Sequence, residues 1–127
     1  MYEWNTKTAN NGHYAEELVA DRFHLKLVRG EWDEEDENGV KYEIKSCQKY
    51  IANKQRKRGR GRFVLEKKDF EDNGEEKKFI FVVLDGKELE WWGEISGEKL
   101  KSLKGKRKIS QKVALNYILT YGKLYEK

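Results

Sequence analysis

Ala15, Leu18, Val19 and Phe23 recur at helical spacing behind Asn10-Asn11-Gly12, which predicts a helix over residues 13–23. Leu25, Leu27 and Val28, stopped by Gly30, predict a first strand over 25–29. Asn38-Gly39 is a hairpin-turn signal. Beyond it Val40, Tyr42 and Ile44 alternate with Lys41, Glu43 and Lys45, the period of a strand with one apolar and one polar face. Residues 49–62 are too polar for a core element and read as a loop or short irregular helix. A strand at 63–65 and a helical turn at 66–70 follow. The continuous apolar run at 79–84, FIFVVL, fits a strand buried on both faces. Asp85-Gly86 turns into a further strand at 88–92, 96–103 reads as a short helix, and Ser110 caps a last helix at 112–120 with Ala114, Tyr117, Ile118 and Tyr121 in one stripe. The order of elements predicts an α/β fold with a central mixed sheet flanked by helices.

Composition narrows the class. A chain of 127 residues suits one domain with one modest core, and 13% aromatic residues argue against disorder despite 39% charged residues. A lone cysteine, Cys47, excludes an intrachain disulfide framework, and two histidines leave little for a zinc cluster. No run approaches the ~18 apolar residues of a membrane span, and residues 1–11 are polar, so a soluble, cytoplasmic protein is expected. Abundant Lys and Glu with one Cys and one Met hint at a thermophilic source. The net charge of +4 favours an anionic partner only mildly.

The distribution of charge says more. Lys49, Lys54, Arg56, Lys57, Arg58, Arg60 and Arg62 fall in a stretch without an acid, with Gly59 and Gly61 available for close backbone approach to a phosphate. Tyr50 offers a stacking face, although a single tyrosine is more often packing. A second basic patch, 99–108, either extends such a track or is a solvated helix and loop.

Glu43 and Lys45 project from the same face of their strand. A carboxylate there can hold Mg²⁺, and a neighbouring amine can orient or deprotonate water or offset phosphate charge. By itself Glu-x-Lys on an amphipathic strand is usually a solvated face. A metal site needs a second acid, and the hairpin register decides which. A two-residue loop sets Glu34 opposite Glu43 with Asp36 diagonal on the same face; a three-residue loop sets Asp33 opposite Glu43.

The order Gly12-x-x-x-Glu16, Asp33, Glu43-x-Lys45 resembles the PD-(D/E)xK nuclease superfamily, which includes restriction endonucleases and Holliday-junction resolvases. GHYAEELVADRF, WDEEDENGVKYEIKS and the segment ending in RGRF look similar to small archaeal restriction-endonuclease-like proteins, over residues 12–84. Trp32 stands where the motif has its Pro, a residue without a chemical role. The resemblance implies Asp33 and Glu43 as metal ligands, Lys45 as the catalytic lysine, and Glu16 as the carboxylate completing the site. Asp36 is the rival to Asp33, and Ser46 and Gln48 are candidates for positioning phosphate or water. The implied activity is hydrolysis of DNA phosphodiester bonds by an endonuclease using Mg²⁺ or Mn²⁺, with residues 49–62 gripping the DNA; nucleases of this type often act as homodimers. The competing readings are a non-catalytic nucleic-acid-binding module using the same basic arm, and a small interaction protein.

Overall fold

The computed structural model describes residues 17–19, 21, 26–27, 34–35, 41–51, 59–70 and 77–125. Strands β1 (Lys26–Leu27), β2 (Glu34–Glu35), β3 (Lys41–Gln48), β7 (Lys77–Asp85), β8 (Glu88–Ser96) and β10 (Lys123–Tyr125) form a six-stranded sheet in the order β1-β2-β3-β7-β8-β10. β3 and β7 are parallel and the other pairs antiparallel, so the sheet is mixed. Helical residues 17–19 and 21 agree with the expected first helix as far as they are described.

The FIFVVL run forms the middle of the sheet for a simple reason. All of Phe79 to Leu84 are fully buried, because alternate side chains enter two separate apolar layers. Phe79, Phe81 and Val83 pack with Phe63, Leu65, Leu100, Ile109 and Ile118. Ile80, Val82 and Leu84 pack with Val19, Tyr42, Ile44 and Trp92 on the opposite face. Helices cover both faces: Val19 comes from the first helical segment, and Ala114 and Ile118 from α1 (Gln111–Tyr121). Gly93 permits this, since a Cβ there would lie 2.7 Å from Ile118 Cγ2.

A parallel pair such as β3 and β7 needs a crossover connection. Its described parts are β4 (Tyr50–Ile51) paired antiparallel with β5 (Gly59–Arg60), then β6 (Arg62–Val64) and a 3-10 helix at Lys67–Phe70. This corrects the expectation of a loop or irregular helix at 49–62: both of its described ends are strands. The reason is that Arg62, Phe63 and Val64 pair with Ser110, Ile109 and Lys108 of β9 (Lys108–Ser110), burying Phe63 against Phe81 at 4.7 Å between ring centroids. Phe63 and Leu65 thereby hold the crossover over the Phe79–Phe81 face.

Other elements agree with the pattern, with adjusted limits. Ser96 caps a 3-10 helix at Gly97–Leu103 through Glu98 N–H, and Ser110 caps α1 through Val113 N–H. β8 runs on to Ser96, past the expected Trp92, and β9 and β10 form where the pattern along the chain predicts no strand.

Candidate active site

β3 carries Glu43 and Lys45 on the face that meets Phe79 and Phe81 of β7. The sequence presents this as the polar, solvated side of an amphipathic strand. In the fold it is buried: Glu43 is 3% and Lys45 8% exposed. The crossover lies over this face and brings a third charged residue, Asp69, from the 3-10 helix. Lys45 Nζ is 2.9 Å from Asp69 Oδ2 and 3.5 Å from Glu43 Oε1. Asp69 is 6% exposed, and its Oδ2 also accepts the Glu66 N–H at 2.7 Å, which locks the carboxylate to its own turn.

Two carboxylates thus share one ammonium in a water-poor setting. Burial of a charge is costly unless it is paired and hydrogen-bonded. Asp69 Oδ1 is buried with no hydrogen-bond partner among the described residues. The cluster presents carboxylate oxygens, a donor chemistry that suits a hard divalent cation or a proton-donating water.

Asp69 is the member that sequence reasoning missed. Its turn was expected, but nothing in its spacing ties it to Glu43 or Lys45, and it sits beside Lys67 and Lys68 as if on a surface. A buried Asp is rare without a partner, and the partner is visible only when the crossover is folded back on β3.

Glu16, Asp33 and Asp36 lie outside the described residues, as do Lys54, Arg56, Lys57 and Arg58. The hairpin register is nevertheless defined by its described pairs, Glu34 opposite Tyr42 and Glu35 opposite Lys41. Ser46 pairs with Val82, so strand alternation puts it on the face of Ile44, away from Lys45. The Gln48 amide is engaged with the β7–β8 turn, donating to Gly86 O at 3.0 Å and accepting from Gly86 N–H at 2.8 Å.

The described basic residues have separate tasks. Lys49 pairs with Glu90 at 2.7 Å, and that hydrogen bond raises its pKa above the ordinary lysine value. Glu90 is available because β8 bulges: Val83 faces Trp91 but Leu84 faces Leu89. Arg60 lies over the Tyr50 ring, 5.5 Å from its centroid, so Tyr50 meets a cation of its own chain. Arg60 and Arg62 are exposed and line a cavity of about 550 Å³ at the start of α1. Cys47, on the Lys45 face, is half-buried against the Phe63 layer; burial pushes its thiol up to about 12.

One further residue fastens β3 to this neighbourhood. Gln111, buried at the first position of α1, donates its amide toward Gln48 O at 3.3 Å, Lys49 O at 3.1 Å and Gly61 O at 2.9 Å. Gly61 comes so close to Gln48 O that a Cβ there would clash with it.

No helix among the described residues is long and apolar enough to cross a membrane. No curated protein matches the chain significantly. A family model described as a PD-(D/E)XK nuclease superfamily domain matches residues 2–93, a span that takes in the β3 acid and lysine, the crossover with Asp69, and the central strand. With the mixed sheet and the buried Glu43–Lys45 pair on its third strand, that match establishes that the chain belongs to the PD-(D/E)XK nuclease superfamily.

Proposed function

We propose that the protein is a divalent-metal-dependent nuclease that cuts DNA internally, with Glu43, Asp33 and Glu16 holding the metal and Lys45 acting on the attacking water or the scissile phosphate. The observation that carries this reading is the buried Glu43–Lys45–Asp69 cluster, in which Lys45 is held 2.9 Å from one carboxylate and 3.5 Å from another. A purely structural strand face would gain more from apolar residues at these positions. The buried Asp69 Oδ1, without a hydrogen-bond partner among the described residues, supports a site with room for positive charge.

Asp33 is preferred to Glu34 and Asp36 because of the register. Glu34 opposite Tyr42 matches the register in which a three-residue turn is expected to set Asp33 against Glu43, and not the two-residue register that would set Glu34 there. Opposed side chains lie about 5 Å apart, a separation that one ion can bridge. When bound, Mg²⁺ or Mn²⁺ would supply an activated water and offset charge on the pentavalent transition state. Glu43 contributes an anionic oxygen donor from a rigid central region of sheet. Lys45 presents N–H donors to a phosphate oxygen or the water, and Asp69 fixes where that ammonium stands. Ser46 and Gln48 have no part in this proposal, since one lies on the opposite face and the other is bound to Gly86.

The test is cleavage of closed circular, linear and branched DNA in Mg²⁺ or Mn²⁺, compared with EDTA. Nicking of closed circles by the unaltered protein is expected, together with losses of at least about 100-fold in Glu43→Gln and in Lys45→Ala. Cleavage that persists unchanged in both variants would overturn the site. Binding without cleavage in either metal would make the protein a nucleic-acid-binding module.

A further inference from the structure

The cavity at the start of α1 is separate from the carboxylate cluster and has a different chemistry. Its volume of about 550 Å³ is in the range of small-molecule sites (roughly 300–1,000 Å³) and is ample for a mononucleotide. Arg60, Arg62 and Lys112 supply three exposed cations, and among the described residues no Asp or Glu lines the cavity. None of the three forms an ion pair with a described carboxylate. Half-buried Trp91 and Leu115 give it an apolar wall. Phe63 packs edge-on to the Trp91 indole with centroids 6.1 Å apart, so the ring is braced from the core side. The helix end adds little, because Ser110 Oγ already accepts the Val113 N–H. Cations beside a braced aromatic ring are what an unpaired nucleotide needs: phosphate contacts for grip and a π-face for its base.

Position links this cavity to the cluster. Its floor residue, Gln111, donates to the carbonyls of Gln48 and Lys49, directly downstream of Lys45 on the same strand. At about 3.3 Å per residue, the Gln48 carbonyl that Gln111 meets lies roughly 10 Å along β3 from Lys45, and the cavity's Trp91 packs on the side of the sheet that Lys45 and Phe63 share. That distance is about three steps of duplex rise at ~3.4 Å each.

We propose that this cavity is a nucleotide pocket that takes an unpaired base and its phosphate from DNA, so that the substrate class is duplex DNA with a single-stranded end or branch near the cut. The proposal rests on the nuclease reading for its substrate, but it concerns binding alone.

It is tested by fluorescence anisotropy in EDTA, with a labelled blunt duplex and the same duplex carrying a short single-stranded overhang. The unaltered protein is expected to bind the overhang form about tenfold more tightly, the size of one stacked base. Arg62→Glu and Lys112→Glu replace exposed side chains, so their fold is secure; each should lower overhang binding about tenfold more than blunt binding. Trp91→Leu should remove the preference while Trp91→Phe keeps most of it, with thermal melts as the check on folding. Equal binding of the two DNAs by the unaltered protein would overturn the pocket, as would charge reversals that weaken both DNAs equally. EDTA removes cleavage from the readout, so an inactive protein that keeps the overhang preference would refute the nuclease reading and leave the pocket standing.

Discussion

Asp69 carries the most specific consequence at the scale of single residues. Its carboxylate bonds both the Lys45 ammonium, in a buried pair, and the Glu66 N–H, in a partly buried one. Asp69→Asn keeps an acceptor for the amide but removes the charge facing Lys45. Breaking a buried pair costs about 3–5 kcal/mol, and the low end applies because Glu43 Oε1 stays 3.5 Å from the ammonium. Urea denaturation should therefore show a loss of about 3 kcal/mol. A loss under about 1 kcal/mol, the range of exposed pairs, would show that water reaches the cluster. On the proposed nuclease function, the same variant should also cleave DNA more slowly, since it frees the ammonium to move.

Gln111 shows how one side chain can set the relation between elements. Its amide spans three carbonyls, on the end of β3, the residue after it, and Gly61 between β5 and β6. Gly61 makes the close approach of those strands possible. Gln111→Ala removes this shared donor; Lys49 O keeps the Gly61 N–H, while the buried Gly61 O loses the Gln111 bond, and a buried orphan costs roughly 1–3 kcal/mol. The expected outcome is a loss of about 2 kcal/mol in denaturant melts, together with faster hydrogen exchange at residues 48–50 and 59–62. Exchange unchanged at both segments would mean that β3 and β6 hold together without the amide. Lys49–Glu90, by contrast, is a partly exposed pair of the kind that contributes little.

At the scale of the whole molecule, stability depends on two apolar layers back to back on one sheet. Cys47 reports on the Phe63 layer. Its thiol titrates near 9 when solvated and at about 12 in the fold, because burial disfavours the thiolate. Below the lower value both states hold the proton and pH has no effect through this group. Above it the unfolded chain loses the proton first, so the folded state binds more protons and stability falls as pH rises toward the higher value. Stability should therefore decline from pH 9 toward 12, and less so in Cys47→Ala. Ellman's reagent at pH 8 should react with the native thiol far more slowly than with the urea-unfolded chain; equal rates would place Cys47 in solvent.

Much of this was legible before folding, wherever neighbouring positions alone decide the outcome. Alternation through 40–45 marked β3, the unbroken run at 79–84 marked a strand covered on both faces, and Ser96 and Ser110 marked helix starts. Alternation also put Glu43 and Lys45 on one face, because strand geometry is local. What the alternation could not say was whether that face meets water. It is buried because the crossover packs Phe63 and Leu65 over it, a consequence of β3 and β7 pairing in parallel. The same packing chose Asp69 as the partner of Lys45 and gathered Arg60, Arg62, Trp91 and Lys112 into one cavity. β9 and β10 likewise exist through their partners β6 and β8, since three-residue strands have too little pattern to declare themselves. Local pattern along the chain settles which residues can do chemistry and which way each strand turns them, whereas their meeting follows from folding, because contacts between distant segments depend on how the layers close and not on spacing along the chain.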